Sequence, residues 1–127
     1  MYLKEVSEQL DGLYSTKDSY NGTNIYPDIF WDGDGMGFLF SLEEDKYARI
    51  EVSSNFGEWI ACCTGDWKKA TPTIRRLAKP YNVEWDEERG ILFIRFRRNE
   101  MTVGQAVSRL KQAVLVVGSL GKYIKIE

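Results

Sequence analysis

Apolar residues at Tyr2, Leu3, Val6, Leu10 and Leu13, spaced three and four apart around Lys4, Glu5, Glu8 and Gln9, predict an amphipathic helix that ends near Tyr14. Turn-forming residues fill 15–23, which reads as a loop. The period then becomes two, and extended runs follow at 25–31, 37–42, 47–52 and 58–63. Phe38, Phe40 and Leu42 share one face of the second run, and Ala48, Ile50 and Val52 share one face of the third, opposite Arg49 and Glu51. Pro27 lacks a ladder donor, so 25–31 is expected at a sheet edge. Thr71 followed by Pro72 reads as a cap and a first-turn proline, opening a short helix that turns Ile74, Leu77 and Ala78 inward and stops at Pro80. Val83 and Trp85 begin a hairpin, 86–90 turn, and 91–96 return with Leu92, Ile94 and Phe96 on one face. Thr102-Val103-Gly104-Gln105 is a capping box that starts a long helix, whose stripe is Val103, Ala106, Val107, Leu110, Ala113, Val114 and Val117. Leu115 and Val116 fall outside that stripe, to be buried under the loop to Tyr123 and a closing strand at 124–126, or else to form a dimer contact.

The predicted fold is therefore α+β over a single domain, 1–127: a mainly antiparallel sheet with an N-terminal helix, a short middle helix and a long C-terminal helix, the terminal helices covering one face.

Composition changes the picture by exclusion. An apolar content of 43% and an aromatic content of 13% argue for a folded chain. No uninterrupted apolar stretch has the length of a signal core or a membrane span, so a cytoplasmic, membrane-free protein is expected. The two cysteines, Cys62 and Cys63, are neighbours; they point to opposite faces of a strand, rarely bridge each other and read as reduced core thiols. The Asn21-Gly22-Thr23 sequon is then an ordinary loop. Histidine is absent, which removes Ser-His-Asp and Cys-His nucleophile systems, His-ligated zinc and a histidine pH switch. Asp32-Gly33-Asp34-Gly35-Met36-Gly37 with Glu43 imitates part of a calcium loop, but Met36 stands at position 5, the flanks read as strands, and a hairpin turn accounts for the same residues. No phosphate-binding glycine loop occurs. The expectation is no cofactor, no metal and no enzymatic activity.

Charge is where the chain departs from an ordinary small domain. Residues 1–66 hold thirteen acidic against four basic residues, a formal −9, and residues 67–127 hold six against thirteen, a formal +7. Such asymmetry speaks to partners rather than to fold. The candidate cationic binding residues are Lys68, Lys69, Arg75, Arg76, Arg95, Arg97 and Arg98, with Lys79 beside them. Phe93 shares a strand face with Arg95 and Arg97, the raw material of a single-stranded nucleic-acid platform. The candidate acidic face is Asp28, Asp32, Asp34, Glu43 and Glu44, together with Asp45. Against the nucleic-acid reading stands a sequence pI near 5.3, because the acidic half repels phosphate. The bland alternative is that the cations solvate outer faces and pair with acids of the same chain.

From about Arg49 to the end of the last helix, the chain resembles the bacterial and phage family known as domain of unknown function 1828. The resemblance lies in the strand leading into Ser53-Ser54-Asn55-Phe56-Gly57-Glu58, in Leu77-Ala78-Lys79-Pro80-Tyr81-Asn82-Val83-Glu84-Trp85-Asp86, in Gly90-Ile91-Leu92-Phe93-Ile94, and in Ala106-Val107-Ser108-Arg109-Leu110-Lys111-Gln112-Ala113-Val114-Leu115. Where the family has a Ser-Asp-Gly-Gly-like turn, this chain has Ser53-Ser54-Asn55-Phe56-Gly57. The resemblance implies a shared fold and a phage or mobile-element setting, and it carries over no catalytic residue. The element order is also similar to that of type III secretion chaperones, which implies, at the level of fold alone, a dimer that holds a client segment. The expected function is a non-catalytic protein-interaction module docking through a charge-segregated surface, a homodimer pairing acidic with basic regions included. The rivals are nucleic-acid binding by the basic half and a client-binding, chaperone-like dimer.

Overall fold

The computed structural model describes residues 3–10, 14–31, 34–43, 46–52, 56 and 67–119. The elements are helix α1 (Leu3–Leu10), strands β1 (Ser15–Ser19), β2 (Gly22–Tyr26), β3 (Phe30–Trp31), β4 (Asp34–Gly35), β5 (Phe38–Glu43) and β6 (Tyr47–Val52), helix α2 (Thr71–Ala78), strands β7 (Glu84–Asp86) and β8 (Ile91–Arg97), and helix α3 (Val103–Gly118). Six strands form one antiparallel sheet in the order β1-β2-β5-β6-β8-β7, and β3 and β4 make a separate two-stranded ribbon. This is the α+β architecture expected from the alternation of periods.

Register decides which residues face the helices. Ile25 pairs with Phe38, Phe40 with Ile50, Ala48 with Phe96, Ile50 with Ile94 and Trp85 with Leu92, so one face is a continuous apolar layer, and every one of these residues is buried. Helix α3 lies against β8 and β6 and between the other two helices, while α1 packs on β1 and α2 on β7. Its buried residues, Val103, Ala106, Val107, Leu110, Ala113, Val114 and Val117, are the stripe read from the sequence. The capping box closes as expected: the Gln105 N–H donates to Thr102 Oγ1 at 3.1 Å and the Thr102 N–H to Gln105 Oε1 at 3.0 Å. Another first-turn donor, the Val103 N–H, is taken by Gln9 Oε1 of α1 at 2.8 Å, which ties the terminal helices together. Thr102→Ala is expected to lower stability by about 1 kcal/mol in urea denaturation.

Three local readings are corrected. Residues 15–19 are an edge strand rather than loop, paired from Ser15↔Tyr26 to Ser19↔Gly22; none is fully buried, so no apolar alternation marks them. The run 25–31 is not one edge strand. Its start belongs to the interior strand β2, Pro27 follows the last pair, and Asp28 takes a left-handed conformation at φ 58° before the ribbon begins. Thr71 does not cap α2. Ala70 occupies the cap position without a side-chain bond, and the Thr71 hydroxyl instead accepts the Trp85 Nε1–H at 3.0 Å. Helix α2 does end ahead of Pro80, at Ala78, and Pro80 sits in a following 3₁₀ turn, Lys79–Tyr81, which Asn82 ends at φ 56°. The expected strands at 58–63 and 124–126 lie outside the described residues. Leu115 is 55% exposed on α3 and Val116 is half-buried.

Candidate functional site

Two surfaces gather the chemistry-bearing side chains. On the outer face of the sheet, opposite the helices, the pairs are Glu51↔Phe93, Arg49↔Arg95, Tyr47↔Arg97 and Glu43↔Tyr47. Period two thus places acids of the first half beside cations of the second. Arg95 Nε bonds Glu43 Oε2 at 2.6 Å, and Arg49 lies 3.6 Å from Glu43 and 3.4 Å from Glu51. Arg89 reaches Glu51 at 2.8 Å, and that carboxylate is nearly buried. The rings are covered by the same cations. The Arg49 guanidinium stands 3.9 Å over Phe93, and Arg95 and Arg97 stand 4.2 and 5.3 Å from the centre of Tyr47. Arg97 also donates to the Tyr47 hydroxyl at 3.0 Å, and that hydrogen bond, with electrostatic contributions from Tyr47 and Glu100, raises its pKa above the usual arginine value. At the rim, Arg98 pairs with Glu5 of α1 at 2.5 Å.

This lattice weakens the sheet as a stacking platform. A base would have to displace Arg49 from Phe93, giving up a cation–π contact of about 0.5–2 kcal/mol and two ion pairs of roughly 0.2–1 kcal/mol each, for a stacking gain of about 1–3 kcal/mol. The terms cancel. The double variant Glu43→Gln, Glu51→Gln is expected to release Arg49, Arg89 and Arg95 and to elute from immobilised single-stranded DNA at higher salt than the wild type. Unchanged elution would mean that these carboxylates are not what holds the face neutral.

The second surface keeps its charge. Residues 67–83 hold five cations, Lys68, Lys69, Arg75, Arg76 and Lys79, and no acidic residue. Lys68 pairs with Glu88 and Arg75 with Glu87 of the β7–β8 turn, each at 3.9 Å, with more than half of each basic side chain exposed. Lys69, Arg76 and Lys79 are exposed and make no ion pair among the described residues. Between α2 and the outermost strand β7 lies an open groove of about 500 Å³, lined by Arg75, Lys79, Asn82, Val83, Glu84 and Trp85. Trp85 forms its fixed side: it is 5% exposed, bonded to Thr71, and has Phe56 edge-on at 6.3 Å between ring centres. The neighbouring Trp67 donates its Nε1–H to the Glu87 carbonyl at 2.7 Å, which fastens the entry to α2 onto the hairpin.

The residues singled out from the sequence therefore divide. Lys68, Lys69, Arg75 and Arg76 lie together on the α2 side. Phe93, Arg95 and Glu43 belong to the paired lattice, with Arg97 on Tyr47 and Arg98 on Glu5. Asp28 is exposed in the turn after β2. Asp34 is in β4, paired with Trp31 as in a hairpin, and Asp32 and Glu44 lie outside the described residues. The sequence reading missed Tyr47, Arg49, Glu51 and Arg89 as members of the lattice and Trp85 as a groove wall. Arg49 and Glu51 alternate visibly on one strand face, but nothing local announces that β8 is their neighbour. Among the described residues no three Cys, Asp or Glu side chains converge to hold a metal, and no helix is long and apolar enough to cross a membrane. Comparison with known proteins finds no matching family model, curated protein or solved structure.

Proposed function

We propose that this chain is a non-catalytic, cytoplasmic protein-interaction module of a bacterial or phage and mobile-element system, docking a protein partner on the side formed by α2, the turn before it and β7. The setting rests on the resemblance of residues 49–120 to domain of unknown function 1828. The docking face rests on one observation: within the acid-free stretch 67–83, Arg75 and Lys79 line the groove and Lys69, Arg76 and Lys79 make no ion pair among the described residues, whereas Arg49, Arg89 and Arg95 of the sheet face are held by the chain's own carboxylates. Exposed surface charge accelerates and orients encounter.

Amine cross-linking in lysate of the source cell, with and without nuclease, tests this reading. Lys68, Lys69 and Lys79 are expected to link to a protein in a nuclease-insensitive manner, and Lys17 and Lys111, on other elements, are not. Links that vanish with nuclease would favour nucleic-acid binding, and links only between copies of this chain would favour the homodimer.

A further inference from the structure

We infer that the groove beside β7 accepts an extended segment of the partner as an added strand, with acidic side chains at alternate positions. This rests on the docking role proposed above and specifies what docks. β7 is the last strand of the sheet among the described residues, pairing only with β8, from Glu84↔Phe93 to Asp86↔Ile91. An outermost strand carries a row of backbone N–H and C=O groups without ladder partners, and extended peptides add to such edges, taking affinity from main-chain bonds and selectivity from alternate side chains.

Period two supplies the selectivity. Side chains of an added strand alternate between the two faces of the sheet. Those on the helix side meet the α2 wall, where Arg75 and Lys79 line the groove. Those on the other side meet Glu84 and Asp86, which share the outer face because Trp85 between them is buried inward, with Glu84 also bordering the groove. A segment with Glu or Asp toward α2 and neutral or basic residues on the opposite side satisfies both walls. An all-acidic segment would meet repulsion from Glu84.

The same charges argue against a second copy of this chain as the occupant. Laying β7 on β7 would set Glu84 and Asp86 beside one another, like charges on neighbouring strands, which destabilises pairing. Asp86 is further committed, its Oδ1 accepting the N–H groups of Glu88 and Arg89 at 3.0 and 3.1 Å, which fixes the turn that displays the edge. Three residues make a short ladder, so charge must contribute a large part of the affinity, and binding should weaken as ionic strength rises.

The test uses the full chain and a fluorescein-labelled seven-residue peptide that alternates threonine and glutamate, read by anisotropy. Its control has the same sequence with alternate backbone amides N-methylated, which preserves charge and removes ladder donors. The wild type is expected to bind the first and not the second, and hydrogen exchange at those amides of Glu84–Asp86 that face away from β8 is expected to slow on binding. Arg75→Glu with Lys79→Glu should weaken binding by at least about tenfold, as should, to a lesser degree, Arg75→Gln with Lys79→Gln, while Lys17→Glu at the opposite sheet edge should leave it unchanged. Equal binding of both peptides, insensitivity to both double variants, or protection in the free protein of the 84–86 amides that face away from β8 would each overturn the inference. Nuclease-insensitive cross-links from Lys79 to a helical or uncharged partner segment would overturn it while sustaining the docking role. If neither cross-links nor peptide binding were found, both would fall.

Discussion

Gly22→Ala is expected to lower the unfolding free energy by roughly 3 kcal/mol, because backbone strain and steric overlap each cost about 1–3 kcal/mol and both arise at this position. Gly22 opens β2 at φ 153°, where side chains are rarely accommodated, and a β-carbon there would sit 2.2 Å from the Phe40 carbonyl oxygen across the β2–β5 pair. The obstacle is backbone, not the end of a flexible side chain, so relief requires the two strands to separate. They are interior strands, and Thr23↔Phe40 and Ile25↔Phe38 would be displaced with them. Gly37→Ala is the control: its β-carbon would meet only the Tyr26 ring at 3.6 Å, an ordinary contact, and the expected change lies within about 0.5 kcal/mol. Urea denaturation of both variants decides the matter; equal midpoints would show that β2 and β5 do not approach this closely.

Trp85→Ala should cost about 3–5 kcal/mol, the range for emptying a large core aromatic. Trp85 is 5% exposed, faces Leu92 across the hairpin and has Phe56 against its edge. Its indole N–H is also the partner of the Thr71 hydroxyl at the start of α2. Truncation therefore opens a cavity and unfastens the helix bearing Arg75 and Lys79 from the strand beside it. Trp85→Phe separates the two contributions. It retains most of the apolar volume and is expected to cost about 1–3 kcal/mol, largely by leaving the buried Thr71 hydroxyl without the indole donor. A Trp85→Ala variant as stable as the wild type would mean that β7 and α2 are held together elsewhere.

Much of the scaffold was legible along the chain. Strands β5, β6 and β8 announce themselves through Phe38/Phe40, Ala48/Ile50/Val52 and Leu92/Ile94/Phe96, because a half-buried strand must alternate. Helix α3 announces itself through its capping box and stripe, which are properties of consecutive residues. Strand β1 gave no such sign, since Ser15–Ser19 has no apolar face and owes its conformation to hydrogen bonds with β2. The role of Thr71 was misjudged for a related reason. Cap chemistry is a local preference, and the Trp85 indole, fourteen residues downstream, outcompetes it for the Thr71 hydroxyl.

The candidate site was less legible, and charge shows why. The imbalance of −9 against +7 is a fact of the chain alone, as is the acid-free stretch 67–83 that leaves the α2 side cationic. Alternation assigns Arg95 and Glu43 to strand faces but cannot say that the two meet, because they are 52 residues apart and the strand order β5-β6-β8 brings them together. Local period determines the face a side chain takes; only the tertiary arrangement decides which charges it meets there. That arrangement neutralises one cationic surface, opens a groove beside β7 and leaves the other surface charged.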